Sequence, residues 1–285
     1  MHVLSVSSLK GGVGKTTITL GLASAAQNRR LRTLVVDLDP QCDTSCGLGA
    51  IGDFETTCAD VLKTPRHSVV HDSIVASSWS KVQPGILDVM VGSPDAMRFD
   101  SPRPSAGQLR KLRRALEGLK DSYDLVLIDT PPSLNALTRT AWTASDGVIL
   151  LTEPGLFSIV AVQRAMAAVD EVVAKANPAL ELVGIQVNRA KPQLPEQEFR
   201  LAEIDELFGE LVLKPAIEER AVLSQAEGAA KPISAWAGEA AAELSEQFAS
   251  ILQRSIRHID DARDAKTSGN AKGGRLGRQS RKTKN

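Results

Sequence analysis

Apolar positions along the chain fall into two alternating patterns. Short runs dense in Val, Ile and Leu recur at 3–7 (VLSVS), 33–37 (TLVVD), 87–92 (LDVMVG), 124–129 (DLVLID), 147–152 (GVILLT) and 182–188 (LVGIQVN). Their near-continuous apolarity predicts strands buried on both faces, as in a parallel sheet covered by helices. Between them, apolar residues at helical spacing predict helices over about 15–29, 106–120, 134–145, 158–176, 196–208 and 238–262. In the last of these, Leu244, Phe248, Ile251, Leu252 and Ile256 mark one buried face. Alternation of this kind predicts an α/β fold: a doubly wound, mostly parallel sheet with helices on both faces. No internal repeat is visible, and residues 40–86 carry the weakest pattern. Ligands of such folds sit beyond the carboxyl ends of the strands, which is where the chemically interesting polar residues fall.

Length and composition narrow this picture. The 285 residues, 42% apolar and 24% charged, suit one globular domain, expected over 1–262, followed by a tail at 263–285. A net charge of zero conceals an asymmetry. Residues 266–285 hold seven Lys/Arg and no acid, so the remainder carries −7. Rich in Gly, Ser, Lys and Arg, with Leu276 its one large apolar residue, this basic tail is predicted to be disordered. It suits a solubilising end, or an arm for nucleic acid or anionic lipid through Lys272, Arg275, Arg278, Arg281, Lys282 and Lys284. No apolar run approaches the roughly 18 residues of a membrane span. Cys42, Cys46 and Cys58 form no paired framework, and Met1 leads directly into a strand pattern. Both features predict a cytoplasmic protein.

Three stretches carry the chemistry. In LKGGVGKTT (9–17), Gly11, Gly12, Val13 and Gly14 link the first strand to a helix starting near Lys15. A turn of this kind aims backbone N–H groups and a helix N-terminus at phosphates. Lys15 would reach the β- and γ-phosphates, and the Thr16 hydroxyl would ligate Mg²⁺. The usual loop opens on a glycine separated from Gly-Lys by four residues; here Leu9 stands there, followed by an additional lysine, Lys10. In VVDLDPQ (35–41), Asp37 and Asp39 are two apart at a strand end and point the same way. One suits hydrated Mg²⁺ and the other a water. In LVLIDTPPS (125–133), a strand ends in Asp129, matching the acid that contacts Mg²⁺ in loop-type NTPases.

The ordered set of three stretches resembles the ParA/MinD (Soj-like) family of deviant Walker ATPases over roughly residues 1–260. The resemblance implies an ATPase with ATP and Mg²⁺ as cofactors, acting as an ATP-dependent homodimer. Lys10 becomes a residue that reaches the other subunit's phosphates, a charge supplied in trans like an arginine finger. Catalysis is then expected from Lys10, Lys15 and Asp39, with Asp39 orienting water, and Asp37 and Asp129 holding Mg²⁺ through waters. Thr17 would contact the α-phosphate, Asn188 would read adenine, and Pro215 would pack on the base. The small ParA-type members bind DNA non-specifically, and a ParB-like protein stimulates their hydrolysis. Carried over, this implies a nucleoid-associated ATPase in chromosome or plasmid segregation or cell-division positioning, with Arg220 as a DNA candidate.

The sequence departs from the family pattern after DPQ, where Cys42-Asp43 stands in place of Gly-Asn. Cysteine accommodates positive φ poorly, so a loop of different shape is expected there. A MinD-like membrane-associated ATPase remains an alternative, although the tail lacks inserting Phe, Trp and Leu clusters. Other uses of the ATPase remain too: small-molecule ligases and amidases of the family have no short motif. The pairs Cys42/Cys46 and His67/His71, each four apart, have no completing metal ligands in the sequence.

Overall fold

The computed structural model describes the backbone of residues 1–279 and the side chains up to Thr267. Eight strands form one sheet: β1 (His2–Ser7), β2 (Thr33–Asp37), β3 (Ile74–Ala76), β4 (Leu87–Met90), β5 (Leu125–Asp129), β6 (Gly147–Thr152), β7 (Glu181–Val187) and β8 (Val212–Leu213). Their order is β3-β4-β2-β5-β1-β6-β7-β8. Every pairing is parallel except β3 with β4. The doubly wound architecture expected from the apolar runs is the one observed.

Helices cover both faces: α1 (Lys15–Asn28), α2 (Asp43–Gly47), α3 (Cys58–Lys63), α4 (His67–Asp72), α5 (Ala106–Leu109), α6 (Lys111–Glu117), α7 (Ala136–Ala144), α8 (Ser158–Lys175), α9 (Pro195–Phe208), α10 (Ala221–Gly228) and α11 (Glu239–Gln279). Successive strand residues point to opposite faces, and here both faces are dry. Val35, Leu127 and Ile149 meet α1 and α11. Their neighbours Leu34, Val36, Val126 and Ile128 meet α3, α6 and α7, while Val148 and Leu150 pack beneath α8. The packing of α1 on α11 is tight enough that a Cβ on Gly21 would lie 2.3 Å from the Phe248 ring.

Several element boundaries differ from expectation. The segment 106–120 divides at Arg110 (φ −84°, ψ −5°) into α5 and α6. Residues 40–86 contain α2, α3, α4 and β3, all short. The last helix continues beyond 262, because Arg263 pairs with Asp146 (2.7 Å) and Lys266 with Glu181 (2.6 Å), docking it across the start of the sheet. The side chains of Lys272, Arg275 and Arg278, and all of Arg281, Lys282 and Lys284, lie outside the described residues.

Candidate functional site

The loop after β1 is built for close approach by an anion. Ser8 Oγ donates to the Lys10 carbonyl (2.7 Å), and Gly12 and Gly14 take left-handed φ values of 80° and 87°. Gly14 has a second constraint, since an added Cβ would fall 2.3 Å from Asn188 Nδ2. The first turn of α1 contains no acidic residue, so its positive end points undiminished into the loop.

Two lysines of this loop have opposite placements. Lys15 is buried at 7% exposure. Burial lowers its pKa, while Asp129 and then Asp39 oppose the shift. Lys10 has a side chain 57% exposed, and its Nζ lies 2.8 Å from Glu153 Oε2. Arg189 approaches the other oxygen of Glu153 at 3.7 Å.

Three carboxylates, Asp129, Asp37 and Asp39, lie close enough to shift one another's ionisation. Asp129 is fully buried; its Oδ2 accepts from Thr16 Oγ1 (2.9 Å) and Thr44 Oγ1 (2.5 Å). Its Oδ1 is buried with no partner, and burial pushes the carboxyl up to about 6. Asp37 is equally buried, with Oδ2 accepting from Ser45 N (2.8 Å) and Ser45 Oγ (2.7 Å), and Oδ1 from Asp39 N (3.2 Å). Burial, then the Asp129 charge, pushes it up to about 7. Asp39 is half-buried with its pKa raised, chiefly by desolvation.

A cleft of about 600 Å³ unites Gly11, Gly12, Gly14, Lys15, Thr16, Thr17 and Asp39. Asp37 does not line it; its hydrogen bonds anchor the segment that carries Asp39 and α2. Asn188 and Pro215 do not line it either. The Asn188 amide donates to the Val13 carbonyl (2.8 Å) and so braces the phosphate loop from behind. Pro215 is exposed, and its carbonyl accepts from Gln186 Nε2 (3.1 Å). Arg220 is tied to Glu218 (2.9 Å) and Glu243 (3.7 Å). Cys42 adopts φ 60°, ψ 23°, the left-handed region usually left to glycine.

Residues that the sequence did not single out also meet here. Arg189, Glu227 and Pro132 line the cleft, Thr44 and Ser45 hold the two buried aspartates, and Glu153 holds Lys10. Arg189 and Thr44 each adjoin residues the motifs did mark, and that adjacency was the only available signal. Glu227, on a helix from a distant part of the chain, had none.

The arrangement fits a metal-bound triphosphate on its own chemistry. A buried carboxylate oxygen without a partner lies beside a threonine hydroxyl, a buried ammonium and a left-handed glycine loop. Among the described residues, no group of three or more His, Cys, Asp or Glu could hold a metal by itself, so the triphosphate would have to complete the ligand set.

Comparison with known proteins agrees. An AAA-domain family model, AAA_31, matches residues 1–182. The structure is similar to that of a variant of Cyanothece McdA in complex with ATP (TM-score 0.78, 20% identity, 89% of this chain and 96% of that one). It is also similar to cobyrinic acid a,c-diamide synthase from Mycobacterium smegmatis with bound ADP and magnesium (TM-score 0.69, 26% identity, 81% and 92%). In sequence it is 31% identical to the chromosome-partitioning ATPase Soj of Thermus thermophilus, over 81% of this chain and 86% of that one. It is 33% identical to the chromosome partitioning protein ParA of Caulobacter vibrioides over 238 residues, 82% of this chain and 86% of that one, and it belongs to the ParA/Soj family of P-loop ATPases.

Proposed function

We propose that this protein is an ATP-driven positioning switch, which dimerises on ATP, binds DNA without regard to sequence and lets go after hydrolysis stimulated by a ParB-like partner. One observation carries the reading: the loop's two lysines divide the work. Lys15 lines the cleft and is buried near Asp129 and Asp39, whereas Lys10, adjoining the lining residue Gly11, stands exposed and is held by a single partly exposed acid. A lysine placed there is positioned to serve a second subunit's phosphates.

ATP and Mg²⁺ fit the residues present. Lys15 and the loop amides would hold the phosphates, Thr16 and Asp129 the metal, directly or through water, and bound Mg²⁺ would neutralise charge along the triphosphate. Asp39 lines the cleft as a half-buried acceptor able to orient a water. Asp37 fixes where Asp39 sits, by accepting its backbone N–H and clamping Ser45. No helix among the described residues is long and apolar enough to cross a membrane. The proposed place of action, the nucleoid surface, follows from the DNA-binding reading.

The test is binding of Asp39→Ala to random-sequence duplex DNA at low salt, with ATP and then ADP. Removing the water-orienting carboxylate should trap the ATP dimer and give binding with ATP alone. Equal binding with both nucleotides would refute the switch. A Lys15→Ala variant that still bound and hydrolysed ATP would refute the assignment of the loop.

A further inference from the structure

The cations of this protein are unevenly neutralised. Around β7 and β8, Lys191 pairs with Glu219, Lys214 with Asp205, Arg200 with Glu196 and Glu203, and Arg220 with Glu218. The face formed by α3, α4 and α6 is different. Residues 103–120 hold six Lys/Arg against one acid, Glu117. Leu112, Ala115, Leu116 and Leu119 turn into the core against Val61, Leu62 and Val70, so helical geometry leaves Arg110, Arg113 and Arg114 on the outside. Among the described residues only Arg113 of these three has a carboxylate within 4 Å, Glu117 at 3.6 Å.

Neighbouring segments extend the same charge. The Lys111 ammonium donates to the Lys63 carbonyl (2.9 Å), joining α6 to the end of α3. There Lys63 and Arg66 are exposed and have no carboxylate partner among the described residues. In the other direction the excess charge ends: Arg113 and Lys120 line one cleft with Arg263 of α11, but Glu117, Asp121 and Asp146 line it too, and Arg263 is paired with Asp146. That cleft opens at the amino ends of the strands, beside Met1 and Asp146, whereas the phosphate loop follows the carboxyl end of β1. Beyond Thr267 the sequence adds six more Lys/Arg and no acid.

We propose that the arginine face of α6, with Lys63 and Arg66, is a docking surface for the phosphate backbone of duplex DNA, separate from the nucleotide cleft. The proposal rests on the DNA-binding reading above and locates the contact. The chemistry favours duplex phosphate over other polyanions. None of the exposed large apolar residues falls between 103 and 120, so this face has nothing to insert into a bilayer. The exposed phenylalanines, Phe157 and Phe199, lie elsewhere. The rings beside this face are Phe99, partly buried beneath Lys111, and the His67–His71 pair, which pack on each other, so no large exposed aromatic offers single-strand bases a platform. Exposed guanidinium groups, two of the three without a carboxylate partner among the described residues, suit phosphate contacts, which carry no sequence information.

The experiment uses the full chain with ATP and Mg²⁺ and a random-sequence duplex, and measures affinity against salt concentration. Arg110→Gln/Arg113→Gln/Arg114→Gln is expected to flatten the log–log salt slope by about 3, near 0.9 for each phosphate that is no longer neutralised. Arg200→Gln, a cation already paired on α9, should match the wild type. An unchanged slope in the triple variant would overturn the proposal and leave the ATP switch standing. Wild-type binding that is equal with ATP and ADP, yet flattened by the triple variant, would support the α6 surface and refute the switch. Wild-type binding to phosphatidylglycerol vesicles and not to DNA would overturn the choice of partner. Should the triple variant fail to fold, Lys63→Gln/Arg66→Gln serves instead, with an expected flattening of about 2.

Discussion

Replacing Asp129 with Asn should change how the stability of the metal-free protein depends on pH, by an amount the structure sets. Asp129 is fully buried, and burial raises its carboxyl from an ordinary value of 3.8 to about 6 despite hydrogen bonds from Thr44 and Thr16 and the nearby Lys15. A rise of about two units means that ionising this group opposes folding by about 3 kcal/mol at neutral pH. The folded state therefore binds the proton more tightly than the unfolded state. Stability is lowest above the folded value, rises as pH falls through about 6, and levels off only below the unfolded value. Between pH 7.5 and 4.5 the wild type should gain about 2 kcal/mol relative to Asp129→Asn, the part of that difference the window covers.

The assay is urea unfolding of both proteins in chelator at the two pH values. Taking the difference between them cancels the groups that titrate alike in both, and the shift of Asp37 toward about 7, partly due to the Asp129 charge, can only enlarge it. Identical pH dependence in the two proteins would refute the reasoning, as would a wild type that lost ground on acidification. With ATP and Mg²⁺ present the preference should reverse, because a metal needs the ionised carboxylate.

Two further outcomes follow from packing at and behind the loop. Cys46 is exposed and lines the cleft, whereas Cys58 is buried and Cys42 is half-buried with its thiol pushed up to about 12. One thiol should therefore react rapidly with a maleimide in the native protein, Mg–ATP should protect it, and its modification should block nucleotide binding. Gly21→Ala should destabilise the protein by about 1–3 kcal/mol through overpacking, since its Cβ would meet the Phe248 ring at 2.3 Å. Phe248→Leu should recover part of that loss in a double-mutant cycle, and a purely additive result would count against this contact.

The long apolar runs were legible because their residues face two dry layers. Val35 and Val36 are neighbours in sequence and belong to opposite cores, and only a doubly covered strand lets both be valine. The short elements of 40–86 had no such signature: α2 spans Asp43–Gly47 and is held by side chains to Asp37 and Asp129 rather than by a periodic apolar face. The expected end of the last helix failed for a related reason. Apolar spacing stops near Ile259, while Arg263 and Lys266 dock the next turns through charge, which a hydrophobic period does not register.

The candidate site divides along the same line. Its phosphate loop, Asp39 and Asp129 each belong to one short stretch, a strand and the turn that follows, so they were open to a reading by motif. What completes the site comes from distant chain segments and is specified by shape. Asn188 braces Val13 across 175 residues, and Gly14 is glycine as much to admit that amide as to turn the chain. Cys42 shows the converse. Its left-handed φ of 60° is disfavoured for cysteine, yet Ser45, clamped onto Asp37 and reaching Gly92 N at 2.9 Å, fixes the following turn so that the loop keeps the glycine-like bend. Local preference was overridden because the buried aspartate needed those donors more than the backbone resisted the strain.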